Sequence, residues 1–249
     1  TEPKAARWFK PWYGAQEFIN QQPRYCLWLG TCPPNELRSM PHCMERVTAV
    51  KNYRASSTRA STVKLASTPT RFQTENMPEG NYLLIPKVSS ERRRYVPMGV
   101  MSPDMLCSDL VFIIPDAGLY HFGMLTSNVH MAWMRTVCGR LEMRYRYSKD
   151  IVYNNFPWPA PTDAQKAKIE QTAQAILDAR ALYPDCSLAD LYDEVTMPPE
   201  LRKAHQQNDK AVMEAYGMSV RETTEATCVA ELMRRYQELT NLICNDIER

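Results

Sequence analysis

Between Gly139 and Ser148 the chain alternates strictly. Leu141, Met143, Tyr145 and Tyr147 are apolar or aromatic, while Glu142, Arg144, Arg146 and Ser148 are polar. A period of two predicts a strand with one face for a core and another carrying Glu, Arg and Arg. The stretch continues through Tyr153-Asn154-Asn155-Phe156 into Pro157-Trp158-Pro159-Ala160-Pro161, where three prolines end any ladder. Upstream, short strands are predicted over 25–29, 71–73, 82–88, 95–101 and 111–114, separated by Pro, Gly and Asp, with 119–123 a further strand candidate.

Helical spacing marks other segments. Met44, Val47, Val50 and Tyr53 recur every three residues and predict a helix over 41–60. Ser127 reads as the N-cap of a helix over 128–138 that ends at Gly139. Met131, Trp133, Met134 and Val137 make that helix apolar on most sides, so it should be buried and His130 should be a core histidine. After Pro161 the pattern becomes wholly helical. Thr162-x-x-Gln165 is a capping box opening a helix over 163–182, with Ile169, Ala173, Ile176 and Leu177 on one face. A short capped turn over 187–193 precedes a helix that starts at Pro198-Pro199 and is stopped by Gly217. Ser219-x-x-Glu222 is expected to cap the last helix, with Leu232, Tyr236, Leu239 and Ile243 in register. The expected class is α+β: a mixed α/β domain over 1–155, then a small helical bundle over 156–249.

Charge follows the same division. Residues 1–155 carry 20 Lys and Arg against 12 Asp and Glu, net +8, and residues 156–249 carry 10 against 16, net −6. A basic module beside an acidic one fits a nucleic-acid-facing part and a supporting part, or ordinary unevenness of surface charge. No acidic residue lies between Glu45 and Glu75, whereas Arg46, Lys51, Arg54, Arg59, Lys64 and Arg71 alternate there with Ser and Thr. Such cations release counterions and such hydroxyls reach phosphate oxygens; the other reading is a solvated helix face and a loose loop. Arg92, Arg93 and Arg94 fall between two predicted strands, at a hairpin tip or strand edge, where phosphate, bases or plain solvent would relax their crowding. Trp8, Phe9, Trp12 and Tyr13 can stack on bases, but such clusters more commonly pack the seam between domains.

Glu142 and Arg144 lie two apart on one predicted strand face, roughly 7 Å from each other. A carboxylate accepts from cytosine N4 and a guanidinium donates twice to guanine O6 and N7, so the two suit one C·G pair in the major groove. Arg146 is the next candidate on that face. The competing reading is an ion pair along the strand, worth about a few tenths of a kcal/mol.

Several chemistries are excluded. The eight cysteines (26, 32, 43, 107, 138, 186, 228, 244) contain no CxxC pair and suit buried thiols of a reducing cytoplasm. A zinc set of Cys26, Cys32, His42 and Cys43 matches no common spacing, so no metal is expected. No run approaches the roughly 18 apolar residues of a membrane helix, and no signal peptide opens the chain. The glycines at 14, 30, 80, 99, 118, 123, 139 and 217 form no G-x-G turn, and G-x-S-x-G, H-E-x-x-H and G-K-[ST] are all missing. No catalytic residue and no cofactor site are expected in this chain.

The runs SKDIVYNNFPWP (148–159), LYHFGMLTSNVHMAWMRTVCGRL (119–141) and LADLYDEVTMPPELRKAHQQNDKAVMEAYG (188–217) resemble MmeI-like, type IIL restriction–modification methyltransferases. The likeness runs from about Trp8 to the end. It implies a target-recognition domain and a C-terminal helical domain of a larger adenine-N6 DNA methyltransferase that uses S-adenosylmethionine. The methyltransferase core would lie upstream of Thr1 and be a partner within the same chain, with room for a nuclease module as well. A chain opening at Thr1 suits such an excised fragment as well as a processed chain. Asn154-Asn155-Phe156-Pro157-Trp158 only mimics the adenine-gripping motif of that class, because Phe156 separates the amide from the proline. The resemblance also implies that the Glu142–Arg144 spot is a charge pair that varies between members and helps set one base pair. The expected partner is therefore double-stranded DNA. The rival, from a different class, is a non-catalytic protein-interaction scaffold.

Overall fold

The structure, a computed structural model, describes residues 2–75 and 77–247, the stretch 242–247 by its backbone alone. The side chains of Ile243 and Cys244, expected in the last helix's apolar register and among the buried thiols, lie outside the described residues. A 3-10 turn (Pro3–Trp8) leads into β1 (Phe9–Tyr13), α1 (Ala15–Ile19), β2 (Arg24–Leu27), α2 (Pro34–Arg38), α3 (Pro41–Ala55) and α4 (Ala60–Lys64). The middle holds β3 (Tyr82–Pro86), β4 (Val88–Ser89), β5 (Gly99–Met101), β6 (Leu106–Cys107), β7 (Val111–Pro115), α5 (Leu119–Leu125) and α6 (Asn128–Val137). Next come β8 (Gly139–Leu141), β9 (Arg144–Arg146) and a π turn (Lys149–Tyr153). The chain closes with α7 (Asp163–Ala181), α8 (Leu188–Leu191), α9 (Pro199–Ala215) and α10 (Glu225–Ile247). Among the described residues three sheets form, in the orders β2-β1-β6, β5-β3-β7 and β4-β9-β8. The α+β class expected from the pattern holds.

The centre is β3, whose Tyr-Leu-Leu-Ile-Pro run is buried throughout because antiparallel β5 and β7 flank it and helices cover it. One apolar cluster runs from this sheet through α5 and α6 into α7, α9 and the start of α10. At Gly123 a Cβ would meet Ile169 Cγ2 at 2.8 Å and Ala173 Cβ at 3.1 Å, so the missing side chain is what lets α5 and α7 close. A buried polar knot fixes α9 on α6. Asp209 accepts from Tyr95 Oη at 2.8 Å and from Asn128 N and Nδ2 at 2.7 Å each. A second, smaller cluster of Ala5, Leu29, Leu37, Met40 and Cys43 lies under α2 and α3. Phe72 is stacked between Trp12 and Trp28, with ring centroids 5.4 and 5.1 Å away, so Trp12 packs inside the first domain rather than at a seam between domains, and Phe9 stays exposed.

Several predicted elements differ. The expected strand over 119–123 is α5, whose Phe122, Met124 and Leu125 are buried. A short apolar run carries no period long enough to separate strand from helix, and the helical cover of β3 decides it. Residues 71–73 make no strand, because Phe72 N donates to Glu75 Oε1 at 2.8 Å and its ring fills the tryptophan slot. The run 82–88 divides at Lys87 into β3 and β4, which belong to different sheets. Of 95–101 only β5 pairs, since Pro97 has no N–H to give a ladder. Residues 89–95 therefore join two sheets rather than turning a hairpin. The helix over 41–60 stops at Ala55, and its stripe is only half used: Val50 and Tyr53 are exposed. The last helix begins at Glu225, where Thr227 N donates to Thr224 Oγ1 at 3.2 Å; Ser219 stands in the preceding turn. The caps at Ser127, Thr162 and Ser187 form as expected.

Candidate nucleic-acid interface

The strand expected across 141–148 is a hairpin. β8 and β9 pair as Gly139↔Arg146, Arg140↔Tyr145 and Leu141↔Arg144, which leaves Glu142 and Met143 as the two-residue loop. Glu142 takes a φ of 57°, a left-handed value that two-residue hairpin loops usually assign to Gly, Asn or Asp. The turn also interrupts the alternation. Leu141 joins Arg144 and Arg146 on the outer face, while Tyr145 and Tyr147 point into the core.

The inner face anchors the hairpin. Tyr147 Oη lies 3.0 Å from His130 Nε2 and its N donates to Lys87 O at 2.8 Å. His130 is fully buried, and burial depresses its pKa to about 3, so it is neutral in the fold. Arg140 lies with Cζ 4.0 Å from the centroid of Tyr145 and donates from Nη1 to Met143 O at 3.1 Å, bracing the loop from below. At the tip Arg144 Nη2 donates to Glu142 Oε2 at 2.8 Å, and the side chains remain 44% and 77% exposed. Met143 is 71% exposed and Leu141 42%. The tip thus offers a carboxylate, a guanidinium and two apolar side chains to whatever meets it. Arg146 is exposed on the same outer face.

The other predicted contact residues fall in two places. Arg46 and Lys51 are exposed on α3, Arg59 and Lys64 at the two ends of α4. Arg54 is committed elsewhere: its guanidinium donates to the carbonyls of Leu65, Thr68 and Arg71 at 2.8–3.1 Å and so shapes the loop after α4. Arg71 pairs with Glu75 at 3.0 Å. These residues surround the smaller cluster, beside hollows lined by Leu27, Val47 and Phe72.

Arg92, Arg93 and Arg94 instead border a cleft of about 590 Å³ whose far wall comes from α6, α9 and the segment before α10, including Arg135, Asp209 and Lys210. Tyr145 lines it too, so the back of the hairpin and the arginine run share this hollow. Arg92 and Arg94 are exposed, whereas Arg93 is half-buried and burial lowers its pKa, opposed by Asp193. The brace Arg140 and the knot of Tyr95, Asn128 and Asp209 carry no mark in the sequence: the brace belongs to a turn without turn residues, and the knot joins positions up to 114 residues apart.

Among the described residues no group of three or more His, Cys, Asp or Glu gathers as a metal site needs, and no helix is long and apolar enough to cross a membrane. The described cysteines are free thiols.

Two family models match the chain: the MmeI target recognition domain over residues 1–160 and the MmeI C-terminal domain over 161–244. A relative from Bacillus subtilis (strain 168), DNA methyltransferase A, is 40% identical over 238 residues, which is 96% of this chain and 27% of that protein. A solved structure of the type IIL restriction-modification enzyme MmeI in complex with DNA superposes with a TM-score of 0.91 at 44% identity, covering 96% of this chain and 32% of that one. The chain therefore spans between about a quarter and a third of the length of these relatives.

Proposed function

The chain belongs to the MmeI family, and from that premise we infer that it selects the DNA site on which a larger S-adenosylmethionine-dependent methyltransferase acts. The observation that carries the reading is the β8–β9 tip, where an exposed carboxylate and guanidinium stand 2.8 Å apart on a braced loop. In the major groove Glu142 accepts from cytosine N4 and Arg144 donates to guanine O6 and N7 of the same pair. Arg146, on the same face, reads or steadies the neighbouring edge. Arg46, Lys51, Arg59 and Lys64 take phosphates at α3 and α4, and Arg92, Arg93 and Arg94 take them at the cleft they border. Arg54 contributes indirectly by holding the loop that follows Lys64. Residues 1–155 supply these contacts, and 156–249 buttress them.

The methylated atom is adenine N6, and the methyl donor sits in the rest of the enzyme, with room there for a nuclease as well. Single glycines lead into the short helices α1 and α5, and at the first the helix end is already filled by Glu17, whose Oε2 accepts from Gly14 N at 2.9 Å. No catalytic step is assigned to residues of this chain.

Salt dependence separates this reading from a protein-interaction scaffold. Duplex binding by the intact enzyme should weaken steeply with salt, the slope of log K against log salt being about −0.9 per phosphate neutralised. Changing Arg46 or Lys64 to Ala should reduce the slope by about one each without altering the preferred sequence. A flat salt response would favour the scaffold.

A further inference from the structure

Met143 is the feature of the hairpin that Glu142 and Arg144 leave unexplained. Single exposed apolar residues are ordinary on a protein surface. Here, however, Leu141 and Met143 flank one exposed carboxylate on a loop that is tied down on both sides. The Glu142–Arg144 pair closes one side at 2.8 Å, and Arg140 holds the Met143 carbonyl at 3.1 Å from the other. The Met143 side chain is thus carried on fixed backbone while 71% of its surface stays open.

Building on the base-readout role of the tip, we propose that Met143 is a further specificity-determining residue, one that reads the C5 methyl of a pyrimidine in the pair next to the one read by Glu142. The chemistry follows from the groove. Base edges there present donors and acceptors, and the one apolar group on them is the methyl at C5, present on thymine and absent from cytosine. An unbranched thioether can fill the irregular space beside it. With Glu142 and Arg144 taking the polar edges of one pair, the open apolar side chain between them is left to meet the edge beside it. A wedge between stacked bases is the other use of an exposed Met, but such wedges enter from the minor groove, whereas a carboxylate and a guanidinium side by side match major-groove edges.

The test uses the intact enzyme, with its target first read from the methylome of cells that carry it. Each pair of that target and of its flanks is then offered in duplexes with and without the C5 methyl: thymine against uracil, 5-methylcytosine against cytosine. At one pair the methyl should tighten wild-type binding about fourfold, the change that corresponds to about 0.8 kcal/mol for one buried carbon. Met143→Leu should keep that sensitivity and Met143→Ala should lose it. A methyl profile identical in wild type and Met143→Ala overturns the proposal. A control separates the two levels: Glu142→Lys with Arg144→Asp. If that double change alters the target while the methyl profile ignores Met143, only the Met143 role falls. If it leaves the target intact, the readout reading falls and takes this one with it.

Discussion

At the turn between β8 and β9 the chain puts Glu142 at a φ of 57°, where a residue with a Cβ costs about 1 kcal/mol or more. Glycine would remove that cost. Glu142→Gly should therefore leave stability unchanged or raise it by about 1 kcal/mol in chemical denaturation, while relaxing the choice of base at one position. A stability loss with unchanged target preference would mark the glutamate as structural instead. Much of this site is visible in the sequence: Glu142, Arg144 and Arg146 stand out by their spacing. The turn is not, because Glu-Met carries none of the Gly, Asn, Asp or Pro that signal one, and the alternation reads through it. His130 was legible as a core histidine, and its burial has a consequence for pH. Its pKa of about 3 lies below the roughly 6.5 of an unfolded histidine. Below about pH 6.5 the unfolded chain takes up a proton that the fold refuses, so stability is full above that value and falls as pH drops toward 3. His205, also buried and depressed, acts in the same direction, and Asp209, raised by burial, acts against them. Denaturation at pH 7 and pH 5 should show an acid loss that is smaller by up to about 2 kcal/mol in His130→Gln than in wild type. Equal losses in the two proteins would contradict the buried neutral state.

At the scale of elements, capping chemistry was the most readable signal. Thr162, Ser187 and Ser127 each accept from the backbone N–H three residues on, and α9 ends before Gly217 with its φ of 72°. The last helix is the exception, since Ser219-x-x-Glu222 imitates a cap that Thr224 and Thr227 provide. Thr224→Ala should destabilise the protein by about 1 kcal/mol, and Ser219→Ala by much less, in thermal or chemical melts. The reverse order would return the cap to Ser219. Two of the elements that differ, α5 and the run at 71–73, share a cause. Both are short, and tertiary partners decide their form: the helices around β3 for the first, Trp12 and Trp28 holding the Phe72 ring for the second.

For the whole molecule, the sequence division at 155/156 follows charge and helix content, yet one apolar cluster passes across it and buries Phe156 itself. The hydrogen bonds that knit the halves, from Tyr95 and Asn128 to Asp209 and from Arg180 to Met98 O at 2.7 Å, span about 80 to 114 residues. Sequence spacing carries no trace of such pairs. Their effect is to set the hairpin, the arginine-bordered cleft and the helical support on one continuous core, which gives a base-reading tip the rigidity that fixed geometry requires. Methylome sequencing shows directly whether this tip reads a base pair. Cells carrying the intact enzyme should be compared with cells carrying Glu142→Lys with Arg144→Asp, which reverses the pair. The methylated motif should change at a single position, from C to G. Methylation persisting at the unchanged motif would contradict it and leave Glu142 and Arg144 as a surface ion pair.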